Sequence, residues 1–212
     1  AAKQAALGTT LVVVAATIAM AVGFQRDNVE LQFVEKYAWI PSFGINFSLG
    51  VDAIALVLIL MSVILAPIVV LAGWDEAHGG RWSVKTFYIL IPVLETMMIG
   101  VFAATDLFLF YVIFEAMLIP VYFLIGGYGT GERAAAAVKF LLYSLFGGLM
   151  MLASIIALYV MSGAQGGHTF DIDKLAQLEM SSTTQNLLFL GFFIAFAIKA
   201  PLWPFHTWLP DA

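Results

Sequence analysis

Four ionisable side chains stand inside long apolar runs of this sequence: Glu95, Glu115, Lys139 and Lys199. Carboxylates and amines are groups that hold and pass protons, and here two of each fall in four successive segments. One charge at the middle of a bilayer costs about 2.5–3.5 kcal/mol on insertion scales, so four left unpaired would cost on the order of 10 kcal/mol. Pairing lowers that cost. In a Glu115–Lys199 pair, burial favours the neutral form of both groups while the opposite charge favours the ionised forms. These effects nearly cancel, so the pair titrates as a unit and responds to small changes in hydration or in a neighbouring charge. That suits proton relay and is poor for holding a fixed ion. The bland alternative is an inert buried ion pair that orients two helices, although apolar replacement usually serves stability better. Lys139, about five residues from the end of its run, is also within reach of the interface by snorkelling.

The elements that must position these groups follow from composition. Of 212 residues, 62% are hydrophobic and 11% charged, against about 45–50% and about 25% in soluble domains. That excludes a soluble enzyme and a disordered tail. Nine Lys+Arg against fourteen Asp+Glu, net −5 and scattered, exclude a phosphate-binding face and hence a nucleic-acid partner. The absence of cysteine rules out disulfides, iron–sulfur ligation and cysteine zinc sites on this chain. Six stretches reach the roughly 20 residues that cross a bilayer core about 30 Å thick. They are 5–24, 48–73, 85–104, 107–126, 134–162 and a sixth starting near Asn186. Apolar all round, they are helices rather than barrel strands, since lipid leaves no backbone group unpaired without cost. Counted at 1.5 Å per residue from one side, Glu115 lies about 12 Å in, Glu95 about 16 Å, Lys199 about 18 Å and Lys139 about 22 Å. Asp52 and Asp106 fall at the edge, read as water-reaching helix starts favoured by the dipole.

The sixth run is apolar from 187 to 199, roughly 20 Å of helix, and then meets Pro201 and Pro204. Each proline removes an amide donor and clashes with the carbonyl four residues back, so the helix breaks about two-thirds of the way across. Such breaks persist where protein or a hydrated cavity satisfies the freed carbonyls. Alternatively Pro201 ends the span at the headgroups, with Trp203 and Trp208 as an interfacial belt; Lys199 beside the break favours the first reading. The N-terminus and the second and fourth links share one side and carry Lys3, Arg81, Lys85 and Arg133, against Arg26, Lys36 and Lys174 opposite. The positive-inside tendency places that side in the cytoplasm. Ala1 is not an initiator Met, and both ends read as edges of a larger chain.

Other signals carry no chemistry. Gly126-Gly127-Tyr128-Gly129-Thr130-Gly131 lacks the Lys-Ser/Thr ending of a phosphate loop and reads as a turn. His78, His168 and His206 have no metal-ligand spacing, so no metal site is expected. Ser144 and Gly148, one turn apart, read as helix packing. The many Phe and Met residues face lipid or pack the bundle.

Residues 107–120, Leu-Phe-Leu-Phe-Tyr-Val-Ile-Phe-Glu-Ala-Met-Leu-Ile-Pro, resemble the fifth transmembrane helix of the antiporter-like subunits of proton-pumping NADH:quinone oxidoreductase, respiratory complex I. Residues 139–152, Lys-Phe-Leu-Leu-Tyr-Ser-Leu-Phe-Gly-Gly-Leu-Met-Met-Leu, resemble the next helix. Residues 199–212, Lys-Ala-Pro-Leu-Trp-Pro-Phe-His-Thr-Trp-Leu-Pro-Asp-Ala, resemble the broken seventh helix and its following loop. The Glu-Ala-Met-Leu-Ile-Pro form is nearest the M type of these subunits rather than the L and N types. The resemblance implies an all-α polytopic bundle of about six spans here, part of a roughly 14-helix fold with inverted repeats. The chain then forms one membrane domain, with 1–83 as peripheral helices and loops and 84–212 as most of the first repeat. It implies that Glu115 and Lys199 form the switching pair, that Lys139 and Glu95 lie on a lateral polar axis, and that His206 matches a loop histidine.

The function read from this is a non-redox, proton-translocating membrane-arm subunit of NADH-quinone oxidoreductase. Protons relay through the buried Glu and Lys residues, driven by quinone reduction elsewhere. No cofactor is expected on this chain; NADH, FMN, iron–sulfur clusters and quinone are implied on other subunits. L- and N-like subunits and the lipid bilayer are the expected partners, and a bacterial inner membrane, with the N-terminal side cytoplasmic, the expected location. The rival is a subunit of a multisubunit Na+(K+)/H+ antiporter.

Overall fold

A computed structural model describes residues 1–75 and 80–212. His78, weighed above as a metal ligand, lies outside them. Among the described residues, six helical segments are long and apolar enough to span a membrane, as expected. In chain order they begin with α1 (Ala2–Gly23), then a β-hairpin of β1 (Gln32–Ile40) and β2 (Ile45–Val51), then α2 (Ala53–Ala72) and α3 (Val84–Ala103). Two short helices, α4 (Leu107–Ala116) and α5 (Leu118–Tyr128), make one span, followed by α6 (Arg133–Ala164), the short α7 (Ile172–Ala176) and α8 (Ser182–Lys199). A 3-10 segment, Phe205–Asp211, closes the chain.

Helix α3 joins two groups, packing on α1 and α2 on one side and on α4 and α5 on the other. The 32-residue α6 lies against α4, α5 and α8, and at about 48 Å it outreaches the bilayer. Its Leu142, Leu149 and Ile156 stay exposed, as lipid-facing residues do. Lys3 bonds to the Trp74 carbonyl, and the Arg81 amide donates to the Gly127 carbonyl at 2.7 Å. The N-terminus and the second and fourth links therefore gather on one side, as the alternation of spans requires.

Several boundaries differ from the hydropathy reading. The second span starts at Ala53 rather than 48, because residues 48–51 pair in β2 and Asp52 caps the helix by accepting from the Ala55 amide at 2.7 Å. The sixth starts at Ser182, capped by Ser181, which adds a polar first turn before the apolar stretch. The fourth is interrupted at Met117, because Pro120 has no amide for the carbonyl of Ala116. Of the glycine run read as a turn, Gly126 and Gly127 belong to α5, where a Cβ on Gly127 would stand 2.3 Å from the Trp82 ring.

The connection between the first two spans is the antiparallel hairpin, turned through Pro41–Phe43 and Gly44 at φ +69°. Its β2 strand docks on the turn before α4, with Thr105 N donating to Ser48 O at 3.0 Å. Lys36 of β1 meets Asp171 at 3.2 Å. The stretch before α7 covers the same turn, Leu107 N donating to Phe170 O at 2.7 Å. Asp106 is thereby 1% exposed and does not reach water, contrary to the sequence reading. One carboxylate oxygen accepts from the amides of Phe108 and Leu109, and the other from Asn46 N at 3.0 Å, so the residue caps α4 and clamps β2. Asp106→Ala is expected to cost about 2 kcal/mol and Asp52→Ala, a half-exposed single cap, about 1 kcal/mol. Thermal unfolding of the purified full-length protein in detergent checks both.

Candidate functional site

Glu115 sits in the last turn of α4, one residue from the α4–α5 interruption, and Lys199 is the last residue of α8. Two helix breaks thus flank the pair. The α6 helix packs against both of their helices and carries the consecutive glycines Gly147 and Gly148. A Cβ on Gly148 would lie 2.1 Å from Glu115 Oε1 and 2.5 Å from its Cδ, so the carboxyl group occupies a notch that only glycine leaves open. A Cβ on Gly147 would stand 3.1 Å from Ala195 Cα and from Ile198 Cδ1, which sets the close approach of α8. Lys199 Nζ lies 4.9 Å from the centroid of the Phe114 ring and 5.9 Å from that of Phe140. An ammonium over two ring faces is held electrostatically by their quadrupoles.

Glu115 and Lys199 therefore share one region of the bundle, without a direct ion pair. Glu115 Oε1, Lys199 Nζ, Ser144 Oγ and His206 Nδ1 are all buried and without a hydrogen-bond partner. An unsatisfied buried polar atom costs about 1–3 kcal/mol, more when charged, so a cluster of them marks function or hydration rather than stability.

The break after Lys199 is satisfied by protein, as the two prolines require. Leu202 N donates to Ala197 O at 2.8 Å in place of the missing Pro201 amide, and the Trp208 indole donates to Ile198 O at 2.9 Å. The 3-10 segment is strapped down further by Thr207 Oγ1, which donates to the Tyr143 hydroxyl at 2.9 Å. His206 lies in this segment, half-buried.

The other two intramembrane charges are placed differently from the pair. Lys139 donates to Asp211 at 2.6 Å and to Thr207 O at 2.7 Å, its side chain 35% exposed. Asp211 was missed as a partner, because the two are 72 positions apart in the chain and only the fold of the segment beyond the break brings them together. Glu95 on α3 is 4% exposed with one oxygen unpartnered, and neither Lys139 nor Lys199 pairs with it. Pairing therefore relieves Lys139 directly and the Glu115–Lys199 couple at longer range, and leaves Glu95 as a separate buried acid.

Residues 104–212, which hold Glu115, Lys139, Lys199 and the broken helix, match the family described as NADH:quinone oxidoreductase/Mrp antiporter, TM. The chain belongs to this family. A relative named NADH-quinone oxidoreductase subunit M from Mycobacterium tuberculosis is 43% identical, with all of this chain matching 44% of that one. The chain thus spans less than half the length of that relative. Respiratory complex I from Thermus thermophilus superposes with TM-score 0.76 at 26% identity, over 97% of this chain and 46% of that one. The Mrp complex from Dietzia shares the fold, with TM-score 0.84 at 20% identity over 99% of this chain and 22% of that one. The family's antiporter-type bundle is thus common to respiratory and ion-exchange assemblies, and the chemistry must be argued from the site.

Proposed function

We propose that this chain is part of a proton-translocating subunit of the membrane arm of an NADH-quinone oxidoreductase, with the redox chemistry carried on other subunits. The observation that carries the reading is the Glu115–Lys199 couple, buried between two broken helices, separated from direct contact and short of hydrogen-bond partners. A fixed structural ion pair closes to contact and fills its remaining hydrogen bonds. A couple held apart with open valences stays switchable, because either proton state can be stabilised by a shift in the local charge. Charge arriving from a neighbouring antiporter-like subunit, of L or N type, weakens the attraction of Glu115 for Lys199. The proton on Lys199 then leaves toward the Lys139–Asp211 side, and Glu115 is free to reload. Lys139 accepts that proton only after its own ammonium proton has passed onward, which breaks the ion pair with Asp211 and makes that pair a gate in the same path. The side bearing Lys3, Arg81, Lys85 and Arg133 faces the cytoplasm of a bacterial inner membrane in this reading.

The test uses the assembled full-length complex in sealed vesicles, with proton uptake followed during quinone reduction. Wild type translocates protons with no sodium requirement, and Glu115→Gln loses coupled translocation while the complex stays assembled. Full coupled turnover in Glu115→Gln overturns the role of the pair. A strict sodium requirement moves the chain to the cation/proton antiporter reading.

A further inference from the structure

Eight hydroxyl or carboxyl side chains other than Glu95 and Ser144 are buried among the described residues, and each has a hydrogen-bond partner. Thr10, Thr17, Ser62 and Ser162 bond back to a carbonyl three or four positions earlier, the usual way for a hydroxyl to hide in an apolar helix. Ser48 bonds to Thr105, and Ser154 bonds across to Leu188 O at 3.2 Å. Ser144 is the exception. It is 5% exposed and its Oγ bonds to nothing, not even to the α6 carbonyls within its reach.

Its place on α6 explains what it is for. Phe140, one turn before it, has its ring against Lys199 Nζ; Gly148, one turn after it, is the notch that holds the Glu115 carboxyl. A turn rises about 5.4 Å, so Ser144 stands on the same helix face midway between the points where α6 touches the two members of the couple. A hydroxyl has one proton to donate and lone pairs to accept with. Such a group can accept from an ammonium while donating to a carboxylate, and can reverse that sense when the amine is neutral and the acid protonated. An alkyl side chain does neither.

We propose that Ser144 is a positioning residue of the couple, its hydroxyl bridging Glu115 and Lys199, directly or through water, in both proton states. The inference rests on the Glu115–Lys199 reading for its role in turnover, and the experiment separates the two. In the assembled full-length complex, Ser144→Ala, Ser144→Thr and Glu115→Gln are compared for coupled proton translocation. The infrared band of the protonated Glu115 carboxyl is identified as the one missing from Glu115→Gln. Ser144→Ala is expected to lower translocation by roughly tenfold and to shift that band, because the protonated carboxyl loses the oxygen to which its O–H donates, and Ser144→Thr to restore both. A Ser144→Ala complex that pumps as wild type with the band unmoved overturns the bridge and leaves the pair intact. Unimpaired turnover in Glu115→Gln overturns the pair instead, and the bridge is then decided by the band in Ser144→Ala: shifted supports it, unmoved ends it.

Discussion

Lys199→Ala in the assembled full-length complex is expected to lower coupled proton translocation by on the order of a hundredfold, the lower end of what a positioned proton donor contributes. The ammonium rests over the Phe114 and Phe140 rings with no hydrogen-bond partner, so its removal breaks no hydrogen bond or ion pair. Assembly should therefore survive, and quinone reduction uncoupled from translocation is the measurement that shows it. Lys199→Arg sharpens the result. Arginine keeps the charge but does not release its proton in a protein, so a role in merely holding Glu115 in place would be preserved and a role in passing a proton would not. The expectation is that Lys199→Arg stays as low as Lys199→Ala; recovery to wild-type rate would reduce Lys199 to a fixed counter-charge.

Gly148→Ala is expected to have a comparable effect from a residue with no ionisable group. The new Cβ would stand 2.1 Å from Glu115 Oε1 and 2.8 Å from Oε2, far inside contact distance, and the near wall is the backbone of α6, which cannot yield. The carboxyl must leave the notch, and displacing a reacting group by about 1 Å costs on the order of a hundredfold in rate. The shorter Glu115→Asp, slow by itself, should recover part of the rate when combined with Gly148→Ala, because one methylene is withdrawn where one methyl was added. Translocation in the two single variants and the double variant forms the cycle that reads this coupling. Additive losses would mean that the notch does not position the carboxyl. Gly147→Ala acts on another contact, spreading α6 from α8 at Ala195 and Ile198, and serves as the control for simple helix separation.

The residues of the site were legible as types and not as contacts. Glu115 and Lys199 stand out in any apolar run, because a charge in lipid is costly wherever it falls. Pro201 and Pro204 announce the break after Lys199, since a missing amide is a local property of the chain. Pro120 carried the same information for the fourth span, yet a run of apolar residues on either side concealed the interruption at Met117. Ser144 and Gly148 read as small packing residues, and packing is part of the truth; Gly148 packs against the Glu115 carboxyl, and Ser144, one turn before it, buries a hydroxyl without a partner. Asp106 was legible as a helix start, but neither its burial nor the role of Asp211 could be read. Asp211 is recruited by Lys139 from beyond the break, and Asp106 is buried by a hairpin and a loop that fold back over it.

By itself the sequence determined that this chain lives in a membrane as helices, how many cross, which links share a side and which charges lie within the spans. Each of these follows from transfer free energy and backbone satisfaction, which add up residue by residue along a segment and need no knowledge of neighbours. Only the tertiary structure decided that Glu115 and Lys199 share a region without touching, that Lys139 answers to Asp211, that Glu95 stands apart, and that a glycine on α6 makes room for the Glu115 carboxyl. Those outcomes depend on helix rotation and on ångström separations between segments far apart in the chain, to which hydropathy is blind because lipid and protein interior are equally apolar.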